Sequence, residues 1–248
     1  MLYTTIIYSK KDHIARVTLN RPKANNTINQ ELARELTDAC HLISQDDDIY
    51  VAIITGTGEK AFCSGSDPED AGASHSAATS LASIPQPVIA AINGDALGQG
   101  LELALACDIR LASKEARFGF PQIAQGFIPT NGGTQRLPRT VGKGKAIELI
   151  LTAETISAEE AFEIGLVSKV INKENLASEV EALAKVLVSK APIALRYVKE
   201  AVNKGLDLTL EQGLRLEADL YFLLQTTSDR SEGITTFLQK RRPDFKSK

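Results

Sequence analysis

Apolar residues along this 248-residue chain follow two patterns, and the change between them falls just beyond Gly132. In the first part, β-rich runs at 4–8 and 14–19 flank the charged Lys10-Lys11-Asp12, which predicts a hairpin, and Arg21-Pro22 breaks the second strand. After the polar Asn25-Asn26-Thr27, the residues Leu32, Leu36, Ala39, Leu42 and Ile43 recur at helical spacing and predict a helix over about 30–44. Continuous apolar runs at 50–55 and 88–92, followed by Gly56 and by Asn93-Gly94, read as buried strands that feed loops. Residues 101–107 suit a helix and 108–112 a strand, so the order predicts α/β layering with ligand loops at strand ends.

Beyond Gly132 amphipathic helical patterns take over, at 133–139, 143–151, 158–164, 176–189, 192–204, 208–225 and 228–240, with one short strand at 166–170. The last three helices cannot bury their apolar faces by folding back on themselves alone. They are expected to cover a neighbouring subunit or the body of the same chain. Such a length suits one large α/β domain or a domain with an appended piece, and no fixed-period repeat or low-complexity tract interrupts it.

Composition narrows the function classes. A formal net charge of −3, with no basic run before Lys240-Arg241-Arg242, argues against nucleic acid as a partner. The longest apolar stretch, 87–106, contains Asn93, Asp95, Gln99 and Glu102, which would be costly in lipid, so no membrane span is expected. The start lacks a charged segment followed by an apolar one, so no secretory signal is expected. Cys40, Cys63 and Cys107 are too few and too scattered for a disulfide framework, and no metal-ligand spacing is present, which fits a reducing cytoplasm and no bound metal. His13, His41 and His75 lack partners at ligand or triad spacing; His75, in Ser74-His75-Ser76, is the one that could neighbour a pocket.

Two segments can carry chemistry. Ala61-Phe62-Cys63-Ser64-Gly65-Ser66-Asp67 follows a strand, and its small residues let the backbone turn and present N–H groups. In Asn93-Gly94-Asp95-Ala96-Leu97-Gly98-Gln99-Gly100-Leu101-Glu102-Leu103 a strand ends in a glycine-rich turn and a helix begins, again with free N–H groups. Two N–H groups meeting at one oxygen would stabilise an enolate or tetrahedral oxyanion. By spacing alone, Gly98-x-Gly100 equally suits relief of crowding at a strand-to-helix turn, and a dinucleotide fingerprint lacks its third glycine because Leu103 stands there.

Taken jointly, Arg21-Pro22-Lys23-Ala24-Asn25, Phe62 to Asp67, Gly98 to Ala104 and Phe118-Gly119-Phe120-Pro121-Gln122-Ile123 resemble successive signature segments of the crotonase superfamily, the enoyl-CoA hydratase/isomerase group. Ile128-Pro129 with Gly132-Gly133-Thr134-Gln135-Arg136-Leu137, then Ser157-Ala158-Glu159-Glu160-Ala161, Gly165-Leu166-Val167 and Phe237-Leu238-Gln239-Lys240-Arg241, continue the resemblance over nearly the whole chain. The resemblance implies an α/β fold, a crotonase-like ββα superhelix with a C-terminal α-helical trimerisation region, here a catalytic core over 1–190 and an oligomerisation region over 191–248. It implies an acyl-CoA substrate, no tightly bound cofactor beyond the coenzyme A of that substrate, and a homotrimer or homohexamer. Carried over by position, the main-chain N–H groups of Ser66 and Gln99 form the oxyanion hole, and Glu102 is the first catalytic glutamate. Gln122 stands where the second is expected. Lys23, Asn25, Cys63, Gly65, Gly100 and Lys240 are the coenzyme-binding candidates, with Lys23 and Lys240 as point charges for phosphate. By its residue type and sequence surroundings Cys63 reads instead as a small packing residue.

Three features depart from the family pattern. Gln122 cannot exchange a proton at neutral pH, so Glu102 serves both transfers or Gln122 orients water or substrate. Gln99 replaces a glycine, where a positive φ would be strained. The stretch 67–87 is shorter than the pattern, which implies a differently shaped acyl pocket. The expected activity is addition or removal of water at an enoyl-CoA double bond. The alternatives are double-bond isomerisation, hydrolysis or decarboxylation of acyl-CoA esters, or a non-catalytic acyl-CoA-binding subunit.

Overall fold

The computed structural model describes residues 3–67, 70 and 77–247; His75 and much of the shortened stretch lie outside these. The hairpin forms from β1 (Ile6–Lys11) and β2 (Ile14–Leu19), paired antiparallel from Ile6 opposite Leu19 to Lys11 opposite Ile14. Its two-residue turn, Asp12-His13, has φ of 53° and 63°, and turns with two positive φ values match the twist of the strands they join. From β2 the sheet continues in parallel through β3 (Val51–Gly56), β5 (Val88–Ile92), β7 (Ile109–Ser113) and β10 (Lys169–Ile171).

A second sheet was not foreseen. It comprises β4 (Ala61–Cys63), β6 (Asp95–Leu97), β8 (Arg117–Gly119) and β9 (Thr155–Ser157), in that order, with only β9 antiparallel to its neighbour. Each of the long strands β3, β5 and β7 hands over to a short one, and helices α2 (Ala77–Ala82) and α3 (Gln99–Leu105) follow the first two pairs. The result is a stack of strand, strand, helix turns. Three-residue strands put one or two side chains on a face, too few to produce an alternating pattern in sequence.

Burial on both faces explains the unbroken apolar runs. Ala52, Ile54, Val88, Ala90 and Ile92 enter the main core, beneath α1 (Gln30–Gln45) and α3. Val51, Ile53, Ile89 and Ala91 turn the other way, onto α7 (Lys173–Val188), where Leu176, Val180 and Ala184 meet them. Beyond β8, α4 (Gly133–Val141), α5 (Lys143–Thr152) and α6 (Ala158–Glu163) lead to β10.

Of the last helices, α8 (Pro192–Gly205), α9 (Leu210–Leu224) and α10 (Ser228–Gln239), α8 is tied to the body of its own chain and α9 packs on α8. Lys199 Nζ lies 2.7 Å from Asp108 and donates to the Gln86 carbonyl, while Arg196 pairs with Asp47 at 2.8 Å. Much apolar surface is left outside, including Val202, Leu206, Leu210, Phe222, Phe237 and Leu238. Among the described residues no helix is long and apolar enough to cross a membrane.

On α1 the structure corrects one position of the helical reading: Leu42 is exposed, while Glu35 is buried. Glu35 ties the incoming chain to α1. Its Oε1 accepts from the Thr4 N–H at 2.9 Å, and its Oε2 accepts from the Thr5 N–H at 2.8 Å and the Thr5 hydroxyl at 2.6 Å. Burial pushes its pKa up, but the bonds from Thr5 and Thr4 outweigh this and hold it below 4.5. Its stabilisation is therefore complete above the unfolded value and is lost as pH falls through the lower folded value. Glu35→Ala strands buried donors and is expected to cost about 2–4 kcal/mol, read as a lower urea midpoint at pH 7. The gap between variant and wild type should narrow in acid.

Candidate active site

The first loop is built as a strand without a sheet of its own. Ile28 bridges Ser66 in parallel: its N–H donates to the Gly65 carbonyl at 2.8 Å, and its carbonyl accepts from the Asp67 N–H at 2.8 Å. In extended chain the polar groups of successive residues point to opposite sides, so the Ser66 N–H faces away from Ile28. Arg21 holds Asp67 at 2.7 Å, and the Ser64 N–H donates to the Asn25 carbonyl at 3.1 Å. Buried Asn26 ties the neighbouring turn down by donating to the Thr57 and Ala61 carbonyls.

The second loop leaves β6 through Gly98, whose φ of 54° and ψ of −123° suit glycine, and α3 begins at once with Gln99. The positive φ falls on Gly98 and not on Gln99, so the strain expected at Gln99 is absent. As the first residue of a helix, Gln99 has no intrahelical acceptor for its N–H. Among the described residues no hydrogen bond occupies the N–H of Ser66 or of Gln99.

Contact between α3 and β4 brings the loops together. A methyl group on Gly100 would overlap the Cys63 carbonyl, and one on Gly65 would lie 3.9 Å from the Gln99 nitrogen. Cys63 lies under this contact, its side chain fully buried and its thiol pushed up by burial to about 12, which makes it a packing residue with no surface to offer a ligand.

Glu102, three residues into α3 from Gln99, is completely buried. Its Oε1 accepts from the main-chain N–H of Asn131 at 2.7 Å and of Gly133 at 2.9 Å. Its Oε2 is buried with no partner among the described residues. Burial raises its pKa above 4.5, against the Gly133 and Asn131 bonds and the charge of Arg136, which lower it.

Gln122 sits on the 3-10 turn Pro121–Gln125 that follows β8. Its Nε2 would lie 3.1 Å from a methyl group on Gly98, so the carboxamide borders the Gln99 loop. Gln122 Oε1 and Gln99 Oε1 are both buried without a partner among the described residues. The structure thus gathers Ser66, Gln99, Glu102 and Gln122 around one place, with Gly65, Cys63 and Gly100 in the framework beneath.

The charged candidates are both exposed. Lys23 lies on the turn Pro22–Ala24, and Lys240 is the left-handed cap of α10. No described contact joins either to the cluster. Sequence reasoning missed the groups that hold Glu102, although Gly132-Gly133 ahead of a helix was their signal. A cleft of about 820 Å³ lies between the end of α3, α4 and α8, and Gly132 and Arg136 of the segment around Glu102 are among its lining residues. Among the described residues no cluster of side chains could hold a metal ion.

Residues 9–248 match the sequence family described as enoyl-CoA hydratase/isomerase. The chain belongs to that family. It is 41% identical over 260 residues to a crotonyl-CoA hydratase of Syntrophomonas wolfei, with both chains covered in full. It is 38% identical to a short-chain-enoyl-CoA hydratase of Clostridium acetobutylicum over 98% of this chain and 97% of that one. The crystal structure of an enoyl-CoA hydratase from Bacillus anthracis superposes with a TM-score of 0.95 at 39% identity, covering 99% of this chain and 100% of the other. Crotonase superfamily membership and the superhelical fold expected from sequence are therefore borne out.

In this member of the family the contact of Gly100 with Cys63 is the tightest link between the two loops. Gly100→Ala presses a methyl group into backbone and is expected to cost about 1–3 kcal/mol. Gly144→Ala, in the open first turn of α5, is the control and should be neutral or stabilising by up to about 1 kcal/mol. Thermal melting of the two variants checks both expectations.

Proposed function

We propose that the protein is an enoyl-CoA hydratase in which one carboxylate handles both proton transfers. The thioester carbonyl oxygen accepts from the Ser66 and Gln99 N–H groups, which meet charge only as it develops. Glu102 Oε2 takes a proton from water as the water oxygen bonds to the β-carbon, and the electron pair of the double bond moves onto the thioester as an enolate. The same carboxyl then returns the proton to the α-carbon. Atoms balance as one water added across the double bond. The Gln122 carboxamide, which neither gains nor loses a proton, orients the water.

The observation that carries this reading is the unpartnered Oε2 of a completely buried glutamate whose other oxygen is held twice. The names of the full-length relatives support the same reaction. Lys23 and Lys240 are proposed to meet coenzyme A phosphates, and the apolar surface left on α8 to α10 supports assembly into trimers or hexamers. Three unpaired cysteines fit a reducing compartment.

Decay of the crotonyl-CoA enoyl absorbance tests the reaction. Glu102→Gln is expected to lower kcat by ~10² to 10⁴ with coenzyme affinity kept. An acyl-CoA-binding subunit would have no turnover to lose. Because hydration requires the carboxylate and burial raises its pKa, kcat should fall as pH drops through a value above 4.5. Dehydration begins with the same carboxylate, which takes the α-proton and then gives it to the departing hydroxide, so its rate should fall over the same acid limb.

Gln122→Glu supplies a second acid beside the same loop. Hydration of crotonyl-CoA is expected to rise by about tenfold or more. An unchanged rate would mean that water is not held at Gln122.

A further inference from the structure

The turn that grips Glu102 is itself gripped from its far side. Arg136, the fourth residue of α4, donates from Nη1 to the Asn131 carbonyl at 2.7 Å. Asn131 therefore gives its N–H to Glu102 and its carbonyl to Arg136. Gly132 has a φ of 99°, and a methyl group there would overlap the guanidinium, so the absence of a side chain lets Arg136 lie against the backbone. The Arg136 N–H also donates to the Gly132 carbonyl at 2.8 Å, which sets the start of α4. Residues 131–133 thus form a short clasp with a carboxylate on one side and a guanidinium on the other.

We propose that Arg136 is a positioning residue for the reaction, clamping the 131–133 turn so that it holds Glu102 Oε1 and leaves Oε2 aimed at water. This rests on the reading of Glu102 as the proton-transfer group. Arg136 acts through the turn and through space, without reaching the reacting atoms. Among the described residues it is the charged group that bears on Glu102, and it favours the carboxylate against burial. The Asn131 and Gly133 N–H groups act in the same direction. The other titratable neighbour of Arg136 is the buried Cys107, whose thiol burial pushes far up, so it stays neutral.

The test compares Arg136→Gln and Arg136→Lys with wild type on crotonyl-CoA, with Glu102→Gln as reference and circular dichroism to check folding. Arg136→Gln is expected to lower kcat about 10- to 100-fold with KM within about threefold, since small misplacement of a catalytic group has effects of that size. The acid limb of its kcat profile should move up by about half a pH unit or more, because a neutral side chain no longer favours the carboxylate. Arg136→Lys restores the charge and should recover at least half of the loss on a logarithmic scale, with its acid limb back near that of wild type.

Wild-type kcat and acid limb in Arg136→Gln would overturn the proposal. So would a loss confined to KM, or one that lysine does not recover. Where Arg136→Gln does not fold, Arg136→Lys decides: an acid limb close to wild type with less than about a tenfold loss of kcat supports the proposal, and a moved limb or larger loss overturns it. Turnover retained by Glu102→Gln would instead remove the underlying reading of Glu102.

Discussion

A carboxylate sealed from water loses its hydration, and in this fold two main-chain N–H groups replace it on only one of its oxygens. Glu102 is in that position, and its second oxygen is left as an acceptor without a donor. A buried polar atom in this condition costs on the order of 1–3 kcal/mol unless something fills it. Water poised to lose a proton is a fitting occupant. The cost of leaving Oε2 bare is the physical basis for reading the site as one that acts on water.

The architecture exists to make that burial possible beside two free amides. Strand pairs turn the chain twice in parallel, so the ends of β4 and β6 lie side by side and their following loops share one rim. Gly100 lets α3 settle onto the Cys63 carbonyl, which fixes where Gln99 and Glu102 fall relative to Ser66. From Gln99 to Glu102 is three residues, nearly one helical turn, so the amide and the carboxylate lie on neighbouring parts of one helix face. The clasp at 131–133 then closes over the carboxylate from a different part of the chain.

The long strands β3 and β5 could be read directly, because burial on both faces leaves Val51 to Ile54 and Val88 to Ile92 wholly apolar. Helices α1 and α8 were legible to within a residue or so for the opposite reason, a one-sided stripe. The second sheet was not legible, since strands such as Ala61–Cys63 are shorter than any periodicity. Gln99 looked strained only because sequence does not say which residue of Gly98-Gln99-Gly100 takes the positive φ. The groups joined in the cluster could be named in advance, yet the groups that hold Glu102 could not. Asn131 and Gly133 bind through main-chain N–H, which every residue but proline has, and they come 29 and 31 residues later.

The most direct measurement is a crystal structure with an unreactive crotonyl-CoA analogue that retains the thioester carbonyl. The carbonyl oxygen should lie within about 2.7–3.1 Å of both the Ser66 and Gln99 nitrogens. Glu102 Oε2 should face the β-carbon across one water. A carbonyl bound away from those amides, or an Oε2 turned to a protein donor, would contradict the mechanism.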